Sequence, residues 1–135
     1  MYFGKSIDVA LQIEVEKAIE NVLSKCKTIS NSIPSVAKNI ETLIVIYTVL
    51  PGRKFIILGG IGSAMTDCTF RLYIDDILYE IKRNAWAQRN IEFITKQKVA
   101  AGSVIKITGE QSSHLYYTGF SHDVDASLIG IDVSV

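Results

Sequence analysis

The sequence predicts a mainly β protein, an antiparallel sandwich or barrel preceded by a short N-terminal helical or mixed segment. Three observations carry that expectation. Short runs rich in β-branched and aromatic residues recur from about residue 42 onward. Turn residues punctuate them at the spacing of an all-β domain. No helix-length apolar period lies between them, which argues against a parallel α/β sheet.

The elements follow in chain order. Over residues 7–26, Leu11, Val15, Ala18, Ile19, Val22, Leu23 and Cys26 recur at spacings of three and four, the signature of one helical stripe. Glu14, Glu16, Lys17, Glu20 and Lys25 fall mostly off it. Ile7, Val9, Leu11, Ile13 and Val15 also alternate with polar or small residues, which is the strand period. The reading favours a helix over about 10–26 and leaves the first part open to a strand. From residue 35 the pattern is β. Thr42–Val49 reads as a strand, Leu50-Pro51-Gly52-Arg53 as a turn, and Lys54–Leu58 as the returning strand. Gly59-Gly60-Ile61-Gly62-Ser63 reads as a loop or a close backbone approach. Phe70, Leu72 and Ile74 alternate with Arg71, Tyr73 and Asp75, and Asp75-Asp76 turns the chain into Ile77–Lys82. Further strands are expected at about 90–96, 103–109, 115–121 and 126–134. The organisation expected is an anchoring and oligomerisation segment, 1–34, and a β-sandwich domain, 35–135.

One internal echo stands out. Val49–Ile57 aligns with Val99–Ile107, with Gly52 matching Gly102 and apolar positions in register. It fits either two similar halves of a double-sheet fold or two ordinary turns sharing a glycine requirement.

Composition bounds the function. The chain has 135 residues, with 14 Lys+Arg balanced by 14 Asp+Glu. That balance removes the general basic field on which non-specific nucleic-acid binding relies, so no nucleic-acid partner is expected. It also leaves little electrostatic protection against self-association. The longest apolar stretch, Leu43–Leu50, ends at Pro51-Gly52, far short of the ~20 residues of a spanning helix, so no membrane insertion is expected. The start of the chain lacks the basic and apolar regions of a secretory signal. Two cysteines, Cys26 and Cys68, are too few for a disulfide framework or a zinc site.

Candidate chemistry is sparse. Gly60-Ile61-Gly62 follows an apolar strand, but Met65 holds the third glycine position and a strand-like run follows. A dinucleotide fingerprint needs a helix N-terminus there to hold the pyrophosphate. His114, His122, Asp123 and Asp125 have no diagnostic ligand spacing, and a polar loop accounts for them. Asp75-Asp76 with Glu80 is better explained by a hairpin than by a glycosidase carboxylate pair. No Gly-x-Ser-x-Gly elbow supports a triad. The expectation is no enzyme, no metal and no cofactor. Trp86, flanked by polar residues and Arg, and Tyr116, adjacent to Tyr117, are candidate surface contacts, read against a core role. The stripe of Leu11, Val15, Ala18, Ile19 and Val22 is the candidate assembly contact.

Residues 41–121 carry a set of turn-and-strand signatures: Tyr47-Thr48-Val49-Leu50-Pro51-Gly52-Arg53-Lys54, Leu72-Tyr73-Ile74-Asp75-Asp76, Val99-Ala100-Ala101-Gly102-Ser103-Val104-Ile105 and Tyr117-Thr118-Gly119-Phe120. This pattern resembles small virion proteins of tailed bacteriophages. It departs at Leu50-Pro51-Gly52, where the family has Pro-Ala-Gly, and at Asp76, where it has a hairpin glycine. The resemblance implies an antiparallel β-sandwich of jelly-roll type and a virion location. It implies a non-enzymatic structural role, decorating or reinforcing a capsid or forming a head-fibre component. A homotrimer is expected, with other capsid or tail proteins as partners. The alternative is a receptor- or carbohydrate-binding module of a phage tail, with a host-surface glycan as ligand. Residues 1–34 have no counterpart in the pattern.

Overall fold

The computed structural model describes residues 2–24, 26–34, 36–65, 67–84, 89–112 and 123–135. The chain opens with helix α1 (Tyr2–Ser24). Among the described residues it continues through strands β1 (Cys26–Ile33), β2 (Thr42–Thr48), β3 (Arg53–Ala64), β4 (Cys68–Ile74), β5 (Ile77–Arg83), β6 (Asn90–Phe93), β7 (Gln97–Val99), β8 (Val104–Gln111) and β9 (Val124–Ser134). Helix wins over strand at residues 7–15, where the two periods compete. The segment from residue 5 to 24 contains no Gly or Pro and is rich in Ala, Leu, Glu, Gln and Lys, all good helix formers.

The strands form two antiparallel sheets. The first runs β1-β9-β3-β6, with β7 also paired to β3; the second runs β2-β8-β4-β5. β6 and β7 lie end to end along β3, at Gly60–Ser63 and Phe55–Ile57 respectively, and together fill one edge position. Counted so, the pairs β1·β9, β2·β8, β3·β6/β7 and β4·β5 nest inside one another like a long hairpin. Rolling that hairpin brings β9 beside β3 and β8 beside β4. This is the double-sheet jelly roll, as the resemblance implies.

Three expectations need correction. Cys26–Ile33 is a strand paired with β9 along its whole length, so the sandwich starts at residue 26, not 35. Gly59–Ser63 is not a loop but the second half of β3, with a bulge between Ile57 and Gly59. The strand expected at 90–96 ends at Phe93, and a second short strand, β7, follows outside the expected range. The strand expected at 115–121 lies outside the described residues.

The core lies between the sheets and is built from β2, β3, β4, β6, β7, β8 and β9, with Val36 at one end. Phe55, Phe70, Ile57, Leu72, Ile105, Ile107 and Leu128 are fully buried. Inward glycines make the room for the rings. A Cβ on Gly62 of the first sheet would meet the Phe70 ring of the second at 2.7 Å, and one on Gly130 would meet Phe55 Cζ at 2.2 Å. No residue of α1 belongs to the described core.

Polar groups tie the sheets together at both open edges. At the β1/β2 edge, Asp132 of β9 accepts a hydrogen bond from the Tyr47 hydroxyl at 2.9 Å and pairs with Lys27 Nζ at 3.2 Å. Asn31 Nδ2 of β1 donates to the Ile44 carbonyl at 2.9 Å. At the β5/β6 edge, Glu80 accepts from the backbone N–H of Ile94 (3.0 Å) and Thr95 (2.8 Å) and from the Thr95 hydroxyl. Burial pushes the Glu80 carboxyl toward a higher pKa, but these donors, with Lys82 nearby, outweigh it and hold it below the ordinary value.

The sequence echo has a structural meaning. Gly52 (φ +71°) and Gly102 (φ +84°) each sit third in a turn closed by a bond from the fourth N–H to the first carbonyl, Arg53 to Leu50 and Ser103 to Ala100. That is the type II pattern, which needs a positive φ at this position. The two turns touch: Val49 N–H donates to Ser103 and Gly102 N–H donates to Val49, both at 2.9 Å. One turn carries the chain from the second sheet to the first, the other carries it back. The aligned pairs Val49/Val99, Phe55/Ile105 and Ile57/Ile107 are all buried.

Two predictions follow from this geometry. A Cβ on Gly52 or Gly102 has nothing within 4 Å, so substitution acts through the backbone alone. Gly52→Val and Gly102→Val should each cost about 1–3 kcal/mol in thermal or urea unfolding, and the Asn variants clearly less, because Asn tolerates positive φ. Glu80→Gln should destabilise by on the order of 1–3 kcal/mol near neutral pH, where a charge-assisted acceptor is lost. The Glu80 pKa is lowered on folding. Its contribution is therefore present above the unfolded value of about 4.3 and is lost as pH falls through the folded value. Urea titrations should show the gap between wild type and Glu80→Gln closing below about pH 4; a gap that persists there contradicts the assignment.

Candidate assembly surface

Helix α1 stands away from both sheets. Every side chain described along it, residues 9–20, is exposed, including Leu11 (59%), Val15 (49%) and Ile19 (52%). At about 100° per residue, Leu11, Val15, Ala18 and Ile19 fall on one arc of about 100°. Gln12 and Glu16 border the arc on one side and Glu14 on the other. The expected contact residues Leu11, Val15, Ala18 and Ile19 thus share an exposed face; Val22 lies on α1, with its side chain outside the described set. Val9 and Ile13, the other members of the alternating run, are also exposed but project elsewhere.

The sheets present two different outward faces. In the first sheet, the central strands β3 and β9 point Ile56, Leu58, Ile61, Ile129, Ile131 and Val133 away from the core, all half-buried or exposed. The bulge leaves Leu58 without a partner on β9. Sequence reasoning missed this row. Its signal was present: Phe55–Leu58 and Leu128–Ile131 are apolar at both parities apart from Gly130, the pattern of strands covered on both faces. A second apolar patch, Ile77, Leu78, Tyr79 and Ile81, lies exposed along edge strand β5.

The centre of the second sheet's outward face is polar and internally paired. Glu41 accepts from the Thr108 hydroxyl at 2.7 Å and from the Tyr73 hydroxyl, and Arg71 pairs with Glu110 at 3.1 Å. Thr108 and then Tyr73 hold the Glu41 carboxyl below its usual range, against the opposing effect of burial. Lys106 pairs with Asp76 at 2.9 Å. Glu41, Leu43, Tyr73, Asp76, Lys106 and Thr108 line a shallow depression of about 340 Å³. Its carboxylate and cations satisfy one another, and it holds no nucleophile beside a base.

The described thiols do not change this reading. Cys68 is buried, and desolvation pushes its pKa up to about 12, so it stays a thiol. Cys26 is exposed at the start of β1. No group of three or more His, Cys, Asp or Glu side chains is arranged to hold a metal among the described residues. Asp75 and Asp76 both have positive φ and form the tight β4–β5 hairpin turn expected of them. The candidate contacts Trp86 and Tyr116 lie outside the described residues, as do His114, His122 and Tyr117.

No family model matches the chain, and neither does any curated protein sequence. Among solved structures, it is similar to a chain of the acid-stable capsid of the Helicobacter pylori bacteriophage KHP30, at 8% identity and TM-score 0.49, over 82% of this chain and 94% of that one. It is similar to a chain of the cyanophage Pam1 capsid asymmetric unit, at 11% identity and TM-score 0.45, over 78% and 84%. A third likeness, at 13% identity and TM-score 0.47, is to the insecticidal delta-endotoxin Cry8Ea1 from Bacillus thuringiensis; it covers 76% of this chain, which spans only a fifth of the toxin's length. The jelly-roll assignment rests on the strand order, not on these likenesses.

Proposed function

We propose that this chain is a non-enzymatic structural protein of a tailed-phage virion, in which a jelly-roll body is carried by an N-terminal assembly helix. Its role is to decorate or reinforce the capsid, or to form a head-fibre component, as a homotrimer among other virion proteins. One observation carries the reading: the sandwich closes its core without α1, while α1 leaves an apolar stripe in solvent. Burying one Leu or Val side chain is worth about 1.5–3 kcal/mol, so several left exposed on one helix favour a contact outside the subunit. The turn-and-strand signatures shared with small virion proteins supply the class. The paired polar face and the inert Cys68 supply no competing chemistry.

The test is a chain beginning at Cys26, compared with the full chain and with a full-length Leu11→Glu/Val15→Glu variant. Circular dichroism should show the β signal retained in all three. Light scattering should give a trimer for the full chain only, and binding to purified particles should be lost in the other two. Full assembly and binding by the shortened chain would place the contact on the sandwich instead.

A further inference from the structure

We infer that the surface receiving α1 is the outward face of the first sheet, centred on β3 and β9, of a second copy of this chain. The inference rests on α1 being the assembly arm and adds what the arm grasps. Among the described residues each subunit exposes the α1 stripe, the β5 patch and the row of Ile56, Leu58, Ile61, Ile129 and Ile131, and of these only the row is a broad face on the central strands of a sheet. The stripe and the row match in length. Leu11 to Val22 spans about 17 Å at 1.5 Å per residue, and Ile56 to Ile61 spans about 17 Å at 3.3 Å per residue. They match in shape, because β1 beside β9 points only the small side chains of Cys26, Thr28, Ser30 and Ser32 outward next to the row, leaving space for a helix. They also match in charge. Lys54 and Lys98 lie outward on β3 and β7 at one end of the row, with no ion pair among the described residues, and Glu92 lies outward beside Ile61 at the other, so the lysine end is the one that suits Glu14 and Glu16, which flank the stripe.

Connectivity selects a second copy over the same subunit. A single residue, 25, separates α1 from β1. Connections between helix and strand that reverse the chain take about 2–6 residues, so α1 runs on past its own sheet instead of folding back over it. An arm from one subunit seated on the sheet of the next is a heterologous contact, which closes into a ring when the rotation allows. In a three-membered ring every arm and every first-sheet face is filled, while the β5 patch stays at the surface.

The experiment uses two differently tagged full-length chains, coexpressed, both carrying Cys26→Ser. One carries Glu16→Cys on α1 and the other Lys98→Cys at the rim of the sheet face; both positions are exposed, so the fold is retained. Mild oxidation should give a disulfide joining the two tags. Cross-links confined to Glu16→Cys pairs would show helices bundling with each other and overturn the inference, as would no cross-link. In parallel, Leu58→Glu/Ile61→Glu should weaken assembly about tenfold or more with an unchanged β signal; unchanged assembly overturns it. The Leu11→Glu/Val15→Glu chain separates the two levels. If it assembles normally, the arm reading itself fails. If it dissociates while Leu58→Glu/Ile61→Glu assembles, the arm stands and only the sheet face is wrong.

Discussion

The fit of aromatic rings into glycine gaps sets the rest of this structure. Two β-sheets pack at about 10 Å, a distance fixed by the side chains between them. Here Phe70 crosses from the second sheet onto Gly62 of the first, and Phe55 lies over Gly130. Rings of this size next to ordinary side chains would overfill the gap. With Gly62 facing Phe70 across the layer and Gly130 beside Phe55 within the first sheet, both rings are accommodated, and no residue of α1 belongs to the described core. The polar clasps at Tyr47–Asp132 and Glu80–Thr95 then seal the two edges that a sandwich leaves open. The described side chains of α1 stay exposed beside a sandwich that builds its core from the strands.

Most of the sandwich was legible because its signals are local. Pro51-Gly52, Gly102 and Asp75-Asp76 announce turns through backbone angles that few residues adopt, and the runs between them alternate or are uniformly apolar. The strand Cys26–Ile33 was not legible. Its sequence, Cys-Lys-Thr-Ile-Ser-Asn-Ser-Ile, has two isoleucines and no strict period, since an edge strand is held by backbone pairing with β9 more than by burial. Gly59–Ser63 was open to a loop or a close backbone approach, since glycine serves both; the structure has the close approach, with a bulge, inside β3. Of the candidate surface, the α1 stripe was visible as a helical period. The outward row on β3 and β9 was hidden, because periodicity shows that both faces of a strand are apolar but not that one of them lacks a cover.

The repeat between Val49–Ile57 and Val99–Ile107 shows how one physical demand writes the same sequence twice. The chain passes between sheets at two neighbouring corners, and each needs a positive φ before it enters a core strand. The reciprocal bonds between Val49, Gly102 and Ser103 hold the corners together. A type II turn fixes its glycine, and entry into the core fixes the apolar positions that follow. The resemblance needs no duplicated half, because the same local constraint acting at two adjacent places produces it.

The two outward faces divide the labour of the surface. The net charge of zero conceals an uneven distribution. Across β4 and β8, Arg71, Glu41, Glu110, Lys106 and Asp76 are paired with one another, so that face can stay in water at little cost and offers few unmatched charges to a partner. Over the middle of β3 and β9 the outward residues are isoleucine, leucine and valine, with Ser63, Asp125 and Ser127 beyond them and, at the other end, lysines that make no ion pair among the described residues. Covering the second face and solvating the first would give each subunit one defined orientation in an assembly. Exchanging them would strand the Glu41–Arg71 network in an interface, where desolvation costs more than the pairing returns. In the proposed arrangement that asymmetry would have the jelly roll assemble through β3 and β9 and show β4 and β8 to solvent.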